Sequence, residues 1–399
     1  MILLFGDTYG IKMLLEVLPN DKVLGIVGAS IRPQYLEELQ EIADDLSIDL
    51  LIQPKPMDKD YPAFLEKIRE LNPELIWVNS YSMILREDLF ICARKGAINI
   101  HGALLPQYRG ANPIQWAILS NETEIGVTLH EITASVDQGG IIDQRKVPLY
   151  FKDTWHDANN RIARATEDLL ESNVKMILEG NWSSSSQDES MAVHRRRRKP
   201  EDGRFDWEEP VRVIYNLIRA LVHPLPGAFY EVEKVKQTIE TYKTPQQVVS
   251  SKYSNIGGQV LADFDIQLYP IKIEDILFAF DKVSKEDFIS FFNYGIKNIE
   301  LESWVHDLLN KQTTSIVFSV IKASVIVGLV KIKDFQTFKG VGEISYLELQ
   351  KFNKEDLLSI LQLSFDFSLK ELGLRTIILS KGSDSKEAQR ILNNLKSLK

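Results

Sequence analysis

Short apolar runs alternate with amphipathic stretches along the first part of the chain, and the two periodicities predict different elements. The runs at 2–5, 23–27, 49–52, 75–78 and 97–100 are mostly apolar, as strands buried on both faces are. Between them, apolar residues recur at helical spacing around 11–18, 34–46 and 61–71. Strand and helix in turn predict βαβ units, and so an α/β, Rossmann-like domain with a parallel sheet covered by helices. Stretches 125–132 and 141–148 alternate more strictly and predict a further strand pair. A long helix is predicted over about 154–178, with Thr154 as N-cap and Asp157 in the capping-box position.

The run Gly180-Asn181-Trp182 with four serines after it marks a boundary by composition. A helix is predicted over 210–221 and must stop at Pro224-Leu225-Pro226-Gly227. Residues 229–280 read as short strands with a turn at Gly257-Gly258, a small OB-like β subdomain. Beyond about 285 the pattern predicts two helical stretches, strands at 315–321, 325–332 and 342–349, a helix at 354–372 and a last strand at 376–380. The expected division is therefore a domain at 1–182, a linker, helix and β subdomain at 183–284, and a C-terminal α/β domain at 285–399.

Composition narrows the function classes. With 44% hydrophobic and 26% charged residues the chain has the makeup of a globular protein. A net charge of −9 argues against a nucleic-acid-binding surface, although residues 194–199 form a local basic run. Cys92 is the only cysteine, so no intrachain disulfide is possible, and a reducing cytoplasm is the expected location. No apolar run is long enough to cross a bilayer, and residues 2–5 are too short for a signal segment.

Candidate chemistry is densest between Asn99 and Pro113. If 97–100 is a strand, Asn99 and His101 project from one face at its carboxyl end, where open α/β sheets place their ligands. An amide beside an imidazole can polarise a carbonyl and manage a proton, as acyl transfer to an amine requires. Asp137, in Val136-Asp137-Gln138-Gly139-Gly140, could orient that imidazole. The same residues also suit a strand end and an ordinary turn, and the bare Asn-x-His spacing leaves both readings open.

Asn99-Ile100-His101, then Leu104-Leu105-Pro106 with Tyr108-Arg109-Gly110 and Pro113, then Gly126-Val127-Thr128 and Asp137-Gln138-Gly139, resemble the 10-formyltetrahydrofolate-dependent formyltransferases over about residues 1–235. The resemblance implies Asn99, His101 and Asp137 as the catalytic triad. It also implies that the donor folate lies against Met83, Ile84, Leu85 and Gly139. Ala103 stands where that family usually has serine. Residues 197–207 and 218–229 resemble the module that formylates UDP-4-amino-4-deoxy-arabinose, which implies a nucleotide-linked amino sugar as acceptor and Arg197 or Arg198 on its diphosphate. As bare sequence, Met83–Leu85 equally suits core and the arginine run equally suits a solvated loop. Methionyl-tRNA formyltransferase is the alternative; Arg32 is the only cation between Gly28 and Gln40, where the bacterial tRNA enzymes carry a basic insertion. A formate-releasing hydrolase and a non-catalytic sugar-nucleotide-binding protein are the further rivals.

His130 and His306 lack metal-ligand spacing, so both are expected to be structural or exposed and no metal is expected. The strand and helix order after 285 loosely resembles a GNAT acetyltransferase. Between the third strand and the helix, Leu349 to Asp356 contains no glycine to open a pyrophosphate loop, so acetyl transfer is expected to be lost. A dimer contact or a brace for the β subdomain is the role expected instead.

Overall fold

A computed structural model describes residues 1–233, 235–239, 244–255, 261–263, 266–284, 287, 291, 315–323, 325–333, 341–374 and 376–379. The chain divides into two compact units: Met1–Leu149 with Trp155–Arg198, and Tyr150–Thr154 with Lys199–Lys399.

The first unit is built on a seven-stranded sheet. Its strands are β1 (Ile2–Gly6), β2 (Val23–Ala29), β3 (Asp49–Gln53), β4 (Leu75–Asn79), β5 (Ala97–His101), β7 (Glu124–Glu131) and β8 (Ile141–Pro148), in the order β3-β2-β1-β4-β5-β7-β8. β1 to β5 run parallel, and β7 and β8 are antiparallel additions. Every residue of β1 and β4 is buried, which is why these strands read as continuous apolar runs. Helices α1 (Thr8–Val17), α2 (Leu36–Leu46), α3 (Tyr61–Leu71), the short α4 (Glu87–Phe90), α5 (Pro113–Leu119) and the long α6 (Trp155–Glu179) complete the layers. β6 (Arg109–Gly110) lies outside the main sheet and pairs with β9 (His194–Arg195).

The second unit holds α7 (Val211–Ala220), the hairpin β10 (Ala228–Val232) and β11 (Val235–Ile239), α8 (Pro245–Asn255) and α9 (Ile273–Lys282). Its six-stranded sheet runs in sequence order through β12 (Leu261–Asp263), β13 (Ile266–Pro270), β14 (Ser315–Lys322), β15 (Val325–Lys333), β16 (Val341–Glu348) and β17 (Thr376–Leu379). Only the β16–β17 pair is parallel. Helix α10 (Lys354–Lys370) connects those two strands. The predicted Gly257-Gly258 turn, the helical stretches after 285 and His306 lie outside the described residues.

Two segments within 229–280 read as strands are helices. α8 starts at Thr244-Pro245-Gln246-Gln247, where the Gln247 side chain accepts from the Thr244 N–H and Thr244 Oγ1 accepts from the Gln247 N–H. That is a capping box with proline at the first helical position, a start signal the strand reading passed over. The strands of this stretch also have distant partners. Ile266 and Leu268 are buried on β13 because β13 pairs with β14, some fifty residues further on.

Two buried cations organise the second unit. Arg219, 1% exposed, donates to the Asp153 carbonyl at 2.8 Å and to Asn216 Oδ1 at 2.9 Å, with Phe151 and Tyr215 stacked beside it. These contacts tie Tyr150–Thr154 to α7. Lys252 on α8, 2% exposed, reaches both carboxylate oxygens of Glu371 at 2.9 and 3.0 Å and the Glu209 carbonyl at 2.9 Å. Glu371 also accepts from the Val211 N–H at 2.8 Å, so the end of α10 is pinned to the start of α7. Among the described residues, no helix is long and apolar enough to cross a membrane.

Candidate active site

β5 ends at His101, and its side chains alternate so that Asn99 and His101 share a face. β7 lies antiparallel beside it with His130 directly opposite Asn99, so these two side chains meet across the strands. The Asn99 Nδ2 is 3.1 Å from His130 Nε2, and His130 Nδ1 is 2.7 Å from the Glu131 carbonyl. A carbonyl can only accept, so Nδ1 of His130 carries a proton and donates to it. Nε2 is then a bare acceptor, which the Asn99 amide must face with its N–H. The opposite amide orientation would set two acceptors against each other. His130 therefore dictates which way the Asn99 amide points.

Burial keeps His130 neutral. Its pKa is lowered to about 4, first by desolvation and then by the neighbouring His101, with the Asp137 carboxylate opposing the shift. Asp137 lies between the two rings, Oδ2 3.6 Å from His101 Nδ1 and Oδ1 3.6 Å from His130 Nε2. Because His130 Nε2 has no proton to offer, His101 is the one of the two rings that can donate to the carboxylate. His101, 8% exposed, places Nε2 2.9 Å from the Tyr108 carbonyl, so this nitrogen too must be a donor. Nδ1 is the His101 nitrogen left to gain or lose a proton, and it faces Asp137.

Loop geometry holds these groups. Tyr108 has φ +59°, which turns its carbonyl toward His101. The Tyr108 hydroxyl donates to Glu122 at 2.5 Å; burial first, then that bond, pushes its pKa up to about 12. Thr128 Oγ1 donates to the Ala103 carbonyl at 2.6 Å and accepts from the Leu105 N–H at 3.2 Å, fixing the chain that leaves β5. Asp137 itself has φ +56°, and its Oδ2 accepts from the Gly110 N–H at 2.8 Å. Gly110 is required here: at φ +98° its missing Cβ would stand 2.2 Å from the Arg195 carbonyl. A Cβ on Gly139 would come within 1.8 Å of the Glu131 carbonyl, so the turn after Asp137 can close only on glycine.

The other residues singled out in the sequence fall as follows. Leu85 is buried in the apolar core, Met83 is half-buried, and Ile84 is 65% exposed. Arg197 is exposed and donates to the Ser82 carbonyl at 3.4 Å, at the loop that carries Met83 to Leu85. Arg198 is half-buried over the Trp116 ring, with its N–H bonded to Asn112 Oδ1 at 3.0 Å, and Arg195 stacks on the same indole. Asn99, His101 and Asp137 are brought into one cluster. His130, expected to be structural or exposed, is buried within it, and its place opposite Asn99 depends on the β5–β7 register, which sequence spacing does not contain. Among the described residues, no three His, Cys, Asp or Glu side chains are grouped to hold a metal ion.

An amide, an imidazole and a carboxylate gathered at a strand end of an α/β sheet have the chemistry to polarise a carbonyl and to hold or move a proton. The family model described as formyl transferase matches residues 31–174, and that of the formyl transferase C-terminal domain matches 197–274. The chain belongs to the formyl transferase family and is an enzyme. Among solved structures, it is similar to a sugar N-formyltransferase from a Shewanella species, at 19% identity over 60% of this chain and 96% of that one, with a TM-score of 0.51. An N-formyltransferase from Helicobacter canadensis, solved with folinic acid and dTDP-3-aminofucose, matches at 20% identity over 67% and 94%, with a TM-score of 0.46. Methionyl-tRNA formyltransferase from Clostridium thermocellum matches at 19% over 60% and 91%, with a TM-score of 0.42. At these identities the first of the three speaks for the fold alone.

Proposed function

We propose that this enzyme moves a formyl group from 10-formyltetrahydrofolate to the amine of a nucleotide-linked amino sugar. The observation that carries the chemistry is the Asp137 carboxylate set against His101 Nδ1, with the other His101 nitrogen committed to the Tyr108 carbonyl. A proton on Nδ1 completes an imidazolium held by an opposite charge, a positive group for the oxygen on which charge develops. Asn99, turned by His130, keeps its second Nδ2 hydrogen for the same oxygen.

The folate supplies an activated formyl carbon bonded to nitrogen. The neutral acceptor amine bonds to that carbon, the carbon–nitrogen bond to the folate breaks, and the proton lost by the amine goes to the departing nitrogen. His101 holds or passes that proton at Nδ1, and Asp137 stabilises its charged form. Two exposed aliphatic side chains, Ile84 at 65% and Val136 at 44%, offer the apolar surface that a flat pterin ring would cover. That is the fit between these residues and a folate, with Met83, Leu85 and Gly139 in the same two loops.

The acceptor assignment rests on charge and on the arginine run. Arg197 lies at the Ser82 end of the loop after β4, and Arg198 and Arg195 are stacked on Trp116, an arrangement suited to a diphosphate and its nucleoside. The net charge of −9 suits a small anionic substrate better than a tRNA. We assign the function to the cytoplasm. The test is turnover of formyl-folate with UDP-, dTDP- and GDP-linked 3- and 4-amino sugars, read by product mass, beside charged initiator tRNA. Formylation of an amino-sugar nucleotide is the expected result; turnover of the tRNA alone would refute the acceptor assignment.

A further inference from the structure

Gln187 sits in the segment that follows the serine cluster and reads in sequence as linker. Its Oε1 accepts two hydrogen bonds from Arg109, from Nε at 2.9 Å and Nη2 at 2.8 Å. Its Nε2 donates to two carbonyls of the Asp137 turn, those of Asp137 and Gly139, at 2.8 Å each. Arg109 is fully buried; two of its remaining donors are met by Glu189 at 2.7 and 2.9 Å, and Nη1 also lies 3.4 Å from His194 Nε2. Segment and sheet are also tied by backbone, since Ser185 and Ile141 exchange both hydrogen bonds at 2.8 and 2.9 Å. The amide thus spans a buried cation on one side and the turn carrying Asp137 on the other.

We infer that Gln187 is a positioning residue for formyl transfer, setting the Asp137 carboxylate against His101 through the two carbonyls it holds. The inference rests on the roles proposed above for Asp137 and His101. Asp137 benefits from this support because its backbone is left-handed, φ +56°, a conformation that aspartate tolerates better than most side chains but that still costs energy without glycine. Only an amide does this work. It accepts from a guanidinium and donates to two carbonyls at once, and Arg109 polarises it so that the donors strengthen. A glutamate of the same shape keeps the partner of Arg109 but sets a carboxylate oxygen against two carbonyl oxygens.

Gln187→Glu is therefore the first test, made in the full chain, with Gln187→Met as an uncharged variant of similar size. In both, kcat should fall about 10- to 100-fold while each KM changes less than about threefold, because the loss is felt in the transition state. In an Asp137→Asn background the same substitutions should cause little further loss, since there is no carboxylate left to position. Wild-type kcat in Gln187→Glu and Gln187→Met, with Asp137→Asn inactive, overturns this inference and leaves the proposed chemistry standing. Fully additive losses, or variants that fail only by melting below the assay temperature, make Gln187 a structural brace and overturn it as well. Wild-type turnover in Asp137→Asn overturns the chemistry and this inference together.

Discussion

The carboxyl end of β5 and the junction between β16 and α10 are both places where a strand hands over to irregular chain in an α/β layer, and they use their polar groups in opposite ways. At β5, Asn99 has one Nδ2 hydrogen held by His130 and a second left for a ligand, and His101 has Nε2 held by the Tyr108 carbonyl while Nδ1 faces a carboxylate. At α10 the groups are spent on one another. Asn353 accepts from the Asp356 N–H at 2.8 Å, and Asp356 binds Lys322 at 2.6 Å. Phe352 packs where a side chain on Gly328 would stand, with Tyr346 beside its ring. A strand end becomes a site when its polar groups are oriented but not saturated. A helix N-terminus that carries its own cap and carboxylates has fewer donors and less positive potential left for an anion.

The widest gap between the two places should appear in turnover. Under the proposed chemistry, His101→Ala and Asp137→Asn each lose about a hundredfold or more in kcat while melting near the wild-type temperature. A His101→Ala enzyme close to wild-type rate removes the mechanism. In the second unit the largest effect should come from stability. Lys252→Met strands the Glu371 carboxylate beside α7 and should cost about 3 kcal/mol in urea unfolding, because half of a buried pair is worse than none. A cost below about 1 kcal/mol would show that water reaches Glu371.

His130→Gln sharpens the comparison through pH. The folded-state pKa of His130 is lowered from 6.5 to about 4, so between those values the unfolded chain binds the extra proton. Its contribution to stability is full above about pH 6.5 and is lost as the pH falls toward 4. The drop in melting temperature between pH 7 and pH 5 should be smaller in the glutamine variant than in the wild type. An equal drop would place the acid sensitivity elsewhere. The smallest effect belongs to the α10 cap: Asn353→Ala should cost about 1 kcal/mol. Calorimetry of the full chain with acetyl-CoA should show no binding, and micromolar affinity would mean that the capped N-terminus opens.

Much of the first unit was legible along the chain, because its signals are local. β1, β2, β4 and β5 are buried strands that announce themselves as apolar runs, and α2 and α3 show the helical period over 11 residues each. The second unit was harder for a physical reason. β13 is a strand because β14 lies beside it, and α8 was missed although its capping box was in plain view. Within the site, Asn99 and His101 are two residues apart on one strand, so their shared face follows from the pleat. His130 was read as structural or exposed and Gln187 was not singled out, since their contacts are with partners 31 and 50 residues away, across the β5–β7 register and the Asp137 turn.

What the chain alone determined, then, is whatever depends on neighbours a few residues apart: the alternation of strand and helix, and the residue types able to do acid–base chemistry. Which nitrogen of His101 faces a carboxylate, which way the Asn99 amide points and why His130 stays neutral were decided only by the tertiary structure. Hydrogen-bond direction and desolvation depend on the full set of groups that surround an atom, and here those groups come from β5, β7, the Tyr108 loop and the Asp137 turn together.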